Sequence, residues 1–485
     1  MKADSSKMNR RAFLAASGTA AAAVGTSSLA AGIQTSKTVS RDRPNLIFVT
    51  ADQARAQSFG FMGNRQVHSP NFDRLARESV VFTESTSVCP ICTPARAIWL
   101  TGRNPTSTGV ISNDIQLPVG ETSSAEVLKD VGYATGYVGK WHLDGPLRQG
   151  FTPPGPRRQG FDYWAAANIC HHYTKAFYYR DSPEKIDIAG YQPDHETDLA
   201  IGFIENHRNK PFHLNLHWGP PHDPYIVPEK YMQLYDPARI ELRDNVMVPD
   251  HIDPRKMIAA YYAGISAVDW NMGRLMKALD DMALAENTIL VFTSDHGDML
   301  YSLGLTYKQW PYEECVRVPL LVRYPRRAEA RKVDSLISSV DIMPTMLSLC
   351  GAPIPDGVQG TDFAETVRGG EGPSPDAAMI MCVQPCARYH DRHGTPAWRG
   401  LRTRSHTYAR FRNEDWCLYD NEKDPFQRRN LFADRYEEPE VRALRQRLDA
   451  TLQARLRAIG DGFDAPPFPK IRWSQLLPQT HAIAT

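Results

Sequence analysis

The sequence predicts an α/β fold: a large, mainly parallel sheet sandwiched by helices, with a smaller α+β subdomain at the C-terminal end. Three observations carry that expectation. Short apolar, β-branched runs alternate with helical patterns along most of the chain, several of these runs stop at acidic or polar residues, and the composition shifts once, at a Gly/Pro-rich stretch over 368–375. At 485 residues the chain is longer than one average domain, so a main body with an appendage is the natural division.

The first residues differ from the rest. Lys7, Arg10 and Arg11 precede Phe13-Leu14 and an Ala/Gly/Ser-rich stretch that ends near Ala30-Ala31. Residues 1–31 therefore read as a signal peptide, and the paired arginines resemble a twin-arginine export signal. A membrane anchor is disfavoured because the stretch is rich in alanine rather than leucine. Residues 32–43 read as a polar spacer, and the expected destination is export, to the periplasm or the outside of the cell.

The main domain is placed over 44–370. Residues 45–50 (Asn-Leu-Ile-Phe-Val-Thr) form a buried parallel strand that delivers Asp52 at its end. A helix follows at 69–77, with Ser69 placed to cap it and Pro70 in its first turn. Further strands are expected around 137–138, 213–217, 288–293 and 319–323. A long helix carries Ile258, Tyr262, Ile265, Met272, Met276 and Leu279 on one stripe. The subdomain, 371–485, has strand-like pieces near 379–383, 400–404 and 407–411, then an amphipathic helix with Val441, Leu444, Leu448, Leu452 and Leu456.

Bulk composition narrows the function classes. Lys+Arg 56 against Asp+Glu 55 gives a net charge of +1, with no long run of one sign, so neither nucleic acid nor a membrane surface is the expected partner. Apolar residues at 42% and charged residues at 23% are ordinary for a globular chain, and 36 prolines imply many ordered loops on which a site can be built. Eight cysteines could pair in an exported protein, but spacing does not say which; Cys89/Cys92 and Cys382/Cys386 also admit zinc or redox readings.

In an open α/β sheet, function gathers at the carboxyl ends of strands. Two of the best strand candidates end in acids, at Asp52 and at Asp295-His296 within Phe-Thr-Ser-Asp-His-Gly-Asp. Two carboxylates and one imidazole suit a hard divalent cation: calcium first, with magnesium or manganese as alternatives. The segment at 92–102, Cys-Thr-Pro-Ala-Arg-Ala-Ile-Trp-Leu-Thr-Gly, decides between readings of Cys92. Pro94 can open a helix, which sets residue 92 at a helix N-terminus where negative charge is favoured.

That segment resembles the sulfatase signature, in which Cys-x-Pro-x-Arg is read by a formylglycine-forming maturation enzyme. The resemblance continues through 69–75, Gly139-Lys140-Trp141-His142, Pro220-Pro221-His222-Asp223-Pro224, Ser294-Asp295-His296-Gly297, Lys308 and Leu418-Tyr-Asp. It implies a formylglycine-dependent sulfatase on an alkaline-phosphatase-like scaffold. The metal ligands implied are Asp52, Gln53, residue 92, Asp295 and His296, and the catalytic set is Cys92, Arg96, Lys140, His142, His222 and Lys308. Arg96, Lys140 and Lys308 would neutralise the sulfate oxygens, His222 or Lys308 would protonate the departing alcohol, and His142 would take a proton from the formylglycine hydrate so that sulfate leaves and the aldehyde returns.

Three departures qualify the resemblance. Ala95 stands where relatives usually carry Ser, Gln53 where many have a second metal-binding Asp, and His296 where others have Asn. Gln53 removes one negative charge from the site while keeping an oxygen donor. A phosphonate monoester or phosphodiester hydrolase on the same scaffold is the alternative enzyme, and a non-catalytic glycan-binding module is the alternative class. Substrate contacts are expected from His171 and His172, in an aromatic stretch with Tyr163, Trp164 and Tyr173, and from Arg388 and His390, with Arg392 and His393 beside them. These rings and cations suit a sulfated carbohydrate.

Overall fold

The computed structural model describes residues 43–386 and 396–463, which fall within one compact unit. The signal-peptide reading of 1–31 and the candidates Arg388, His390, Arg392 and His393 lie outside the described residues.

Among the described residues the central sheet has eight strands. From one edge they run 331–333, 80–82, 320–323, 288–293, 45–52, 212–221, 134–140 and 163–167. Seven are mutually parallel, and only Leu320–Arg323 runs antiparallel to both of its neighbours. The central strand Asn45–Asp52 is buried throughout. Ile47, Val49 and Ala51 face one layer, packed with the helices Arg255–Asp281, Gln192–His207 and Pro70–Arg77, while Leu46 and Phe48 face another with Trp99 and the helices Ser124–Asp130 and Ile342–Leu349. Coverage on both faces explains why this strand reads as a continuous apolar run instead of an alternation.

The expected interior strands and the long helix are present, and all six residues of its predicted stripe are buried. Some local expectations are corrected. Ser69 stands at the N-cap of Pro70–Arg77 but does not cap it, because its Oγ accepts the Gly60 N–H at 3.0 Å instead. Tyr163 and Trp164 belong to the edge strand Tyr163–Ala167, with Trp164 buried beside Tyr137 and Trp141, so they serve the core and not a ligand. All eight cysteines are buried and unbridged.

The C-terminal part is a four-stranded antiparallel meander, Ala378–Cys382, Trp398–Arg402, His406–Arg410 and Asp415–Asp420, covered by the helix Pro439–Ala458. Its core is shared with the main body. Met381 N–H donates to Val88 O at 2.7 Å, and Val88, Cys89, Ile91 and Ile98 pack in the same cluster as Trp398, Leu401, Leu448 and Leu452. Among the described residues no helix is long and apolar enough to cross a membrane.

Candidate active site

The site lies where the parallel strands end. Asp52 closes the central strand and is paired in register with Pro221, across a bulge at Ala51/Asp52. Lys140 closes the strand Ala134–Lys140, His222 follows Phe212–Pro221, and Asp295-His296 follow Thr288–Thr293. Gly139 has φ +102°, and a Cβ there would stand 2.2 Å from the His217 carbonyl oxygen, so only glycine lets the strand deliver Lys140 at this height.

Cys92 is the first residue of the helix Cys92–Thr101, whose ten residues are all buried. Its Sγ marks where the oxygens of a formylglycine would stand. Lys308 Nζ lies 2.8 Å from it, His296 Nε2 3.2 Å and Asp52 Oδ1 3.9 Å. Burial and the Asp52 carboxylate resist the thiolate, but Lys140 and Lys308 outweigh them and hold the thiol below its ordinary range. The first turn is tied down from outside the helix, since Thr93 N–H donates to Asn113 Oδ1 and Asp114 N–H to Thr93 Oγ1.

Ligand atoms of Asp52, Cys92, Asp295 and His296 all lie within 4.8 Å of one another, in a buried cluster. Two further features fit a cation there. His296 Nδ1 faces the Gly297 carbonyl at 3.0 Å and must carry the hydrogen, so Nε2 keeps its lone pair toward the cluster; burial lowers this imidazole to about 4 and keeps it neutral. Gln53 donates its Nε2 to Asp298 Oδ2 at 2.7 Å, which leaves Oε1 buried without a hydrogen-bond partner, as an oxygen ligand would be. The donor set therefore suits a hard divalent ion despite the carboxamide at 53.

Arg96 is engaged with both acids of the cluster. Its Nη2 donates to Asp52 Oδ2 (3.0 Å) and Asp295 Oδ2 (3.2 Å), and its Nη1 to Lys140 O (2.9 Å) and His217 Nδ1 (3.0 Å). It holds the two acids together. Asp52 is costly to bury, but Lys140 and Arg96 keep its carboxyl well below the usual range. Lys140 Nζ also donates to Asp52 Oδ2.

His222 donates from Nδ1 to the Asp223 carbonyl at 2.7 Å, so its Nε2 is an acceptor for Lys308 Nζ at 2.9 Å. Burial, Lys308 and His171 push its pKa well below the imidazole range. In that contact Lys308 is the donor and the imidazole the acceptor. His171 stacks on His222 with ring centroids 4.3 Å apart and approaches Lys140 Nζ at 3.5 Å, which brings it into the site; His172 is exposed.

Sequence reasoning missed several supporting residues. Asp114 accepts from His142 Nε2 at 3.0 Å and is gripped by both Arg148 Nε and Nη2, at 3.0 and 2.7 Å. His142 Nδ1, the other ring nitrogen, is buried and without a hydrogen-bond partner among the described residues. Asp298 receives Gln53 and Tyr225, and His217 receives Arg96. Asp298 closes the quoted Ser-Asp-His-Gly-Asp motif and was legible in principle; Asp114 and His217 come from separate segments and carry no local signal.

Comparison with known proteins agrees with this geometry. The family model described as Sulfatase matches residues 44–352, and the one described as N-sulphoglucosamine sulphohydrolase, C-terminal, matches 302–455. An ulvan-active sulfatase of Formosa agariphila is 38% identical over 87% of this chain and 82% of its own length. A solved structure from Bacteroides thetaiotaomicron, described under the metabolism of multiple glycosaminoglycans, is 29% identical with a TM-score of 0.79, over 87% of this chain and 98% of that one. A phosphonate monoester hydrolase of Agrobacterium radiobacter shares the fold at 23% identity and a TM-score of 0.70, over 86% of this chain and 96% of that one.

Proposed function

The chain belongs to the sulfatase family of sulfuric ester hydrolases, and on that premise we propose that it removes sulfate from a sulfated carbohydrate, using residue 92 as formylglycine. The observation that carries the reading is the placement of residue 92 at a buried helix start, between the acids of a cation site on one side and Lys308 on the other.

A divalent cation at Asp52, Gln53, Asp295 and His296 supplies positive charge beside residue 92, and the oxygen-rich donor set favours calcium over magnesium or manganese. The hydrated formylglycine supplies an oxygen nucleophile and a second hydroxyl through which sulfate can be released. The chain's own residues do the rest. Arg96 keeps Asp52 and Asp295 at a fixed separation, and Lys140 adds charge where the sulfate oxygens gather. Lys308 gives its proton to the departing alcohol, with the neutral His222 Nε2 holding that ammonium in line. His142 accepts a proton at Nδ1 while Asp114 fixes its ring.

A carbohydrate is supported by the names of the relatives, which refer to ulvan and glycosaminoglycans, and by the position of His171 over His222 at the site. The paired arginines Arg10-Arg11 support export, with conversion of Cys92 by a formylglycine-forming enzyme before the chain folds. The test is catalytic efficiency on a panel of sulfated oligosaccharides beside 4-nitrophenyl sulfate and a phosphonate monoester. A sulfated oligosaccharide should lead the panel. A wide preference for the phosphonate, with no sulfated sugar turned over, would replace this reading with phosphonate hydrolysis.

A further inference from the structure

We infer that Gln309 is a positioning residue for Lys308, and that through it the C-terminal subdomain takes part in protonating the leaving group. The inference rests on the role of Lys308 proposed above and goes beyond it by naming what sets the ammonium in place.

Lys308 Nζ lies 2.8 Å from Cys92 Sγ and 2.9 Å from His222 Nε2. A lysine side chain reaches such a point through four torsions, so its aim depends on a fixed backbone. That backbone is held in an unusual shape. Tyr307 (φ +63°) and Gln309 (φ +80°), the residues on either side, both adopt the left-handed region. A non-glycine residue is disfavoured there and persists only where its surroundings impose it.

On the first side the restraint comes from the main body. Tyr307 N–H donates to Asp298 Oδ1 at 3.1 Å, and Tyr307 O accepts from Met299 N–H at 2.8 Å. On the other side it comes from the subdomain. Gln309 O accepts from Trp398 Nε1–H at 2.8 Å, and Gln309 Oε1 accepts from Cys386 N–H at 2.8 Å, with Cys382 Sγ 4.0 Å away. Gln309 and Trp398 are fully buried, so neither bond can be replaced by water without opening the core. The side chain of Gln309 thus works away from the substrate. Through its carboxamide and its backbone carbonyl, Gln309 is tied to Cys386, which follows the strand Ala378–Cys382, and to Trp398, which begins the next.

The consequence is measurable because a proton donor matters in proportion to the basicity of the leaving oxygen. The experiment compares kcat for 4-nitrophenyl, phenyl and methyl sulfate in the wild type, Gln309→Leu, Trp398→Phe and Lys308→Ala, each normalised to its formylglycine content by peptide mass spectrometry. Gln309→Leu keeps bulk and removes the side-chain acceptor of the Cys386 N–H; Trp398→Phe keeps a ring and removes the donor to the Gln309 backbone carbonyl. In both, the ratio of 4-nitrophenyl to phenyl sulfate turnover should rise at least about tenfold, in the direction set by Lys308→Ala, with KM little changed. Equal losses on all three esters, or none, in Gln309→Leu and Trp398→Phe, beside a selective loss in Lys308→Ala, would overturn the positioning role alone. A Lys308→Ala enzyme with no selectivity would overturn the proton-donor reading and this inference together.

Discussion

Asp114→Asn tests how the site holds its base. The Asp114 carboxyl is costly to bury, but the hydrogen bond from His142 and the charge of Arg148 bring it down from 3.8 to about 2. At about 1.4 kcal/mol per unit the gap is on the order of 2 kcal/mol, and because Arg148 is half-exposed its screened share leaves about 1–2 kcal/mol to be lost. The sign follows from the depressed value: this stabilisation is present above pH 4, the unfolded-chain range, and fades as pH falls toward 2. Thermal unfolding should therefore show a deficit of about 1–2 °C at pH 7 that narrows below pH 4. The catalytic loss should be larger. Arg148 donates twice to the carboxylate, so an asparagine would turn its oxygen to Arg148 and its NH2 to His142 Nε2. That forces the hydrogen onto Nδ1 and removes the lone pair that accepts the proton. Turnover should fall by about 10²–10⁴, as when an orienting aspartate is amidated elsewhere. A variant that keeps kcat within threefold, at equal formylglycine content, would refute the assignment of His142 as the base.

Two further outcomes follow from the site. Peptide mass spectrometry after co-expression with a formylglycine-forming enzyme should find Cys92 converted to the aldehyde, and Cys92→Ala should unfold at the wild-type temperature yet show no turnover; activity in that variant would remove residue 92 as nucleophile. Adding calcium to chelator-treated protein should raise the unfolding temperature, with about one ion bound per chain by elemental analysis. Gln53→Leu should reduce that calcium-dependent shift, and an unchanged shift would show that the carboxamide oxygen is not a ligand.

The interior of the fold was legible because burial on both faces leaves a simple signature. Residues 45–50 and 288–293 are apolar runs that end in polar groups, and with 213–217 they are strands that end at the site. The edges were harder to read. Val80–Phe82 and Arg331–Val333 have only three residues each, too short for a periodicity to emerge. Aromatic content misled at Tyr163 and Trp164, because rings that could stack on a sugar are also what a buried edge strand needs. Within the site, residues tied to a local motif were found, whereas those whose meaning comes from a distant partner were not. Asp114 is 28 positions from His142, and Gln309 is 89 from Trp398.

The division of labour among the cations follows from how the two buried acids are split. Side by side without compensation, Asp52 and Asp295 would repel and one would take up a proton. Arg96 prevents this by binding Oδ2 of both, while each Oδ1 stays on the side of His296 Nε2, at 3.8 and 3.7 Å. One oxygen of each acid is thus bound by Arg96 and the other faces the cluster, where Asp295 Oδ1 also accepts the N–H of Gln53 and of His296, at 2.9 and 3.0 Å. Arg96 can do this because its fork spans two carboxylates at once, which a lysine ammonium cannot match with the same geometry. The lysines are left to act at points. Lys140, on Asp52 Oδ2, adds charge beside the acids, and Lys308 approaches residue 92 from the loop between Thr288–Thr293 and Glu313–Val316, beside His222. The cation that holds the acids together is therefore distinct from the one assigned to move a proton, and it is the residue next to the second whose carbonyl and carboxamide oxygens are both bound from the subdomain.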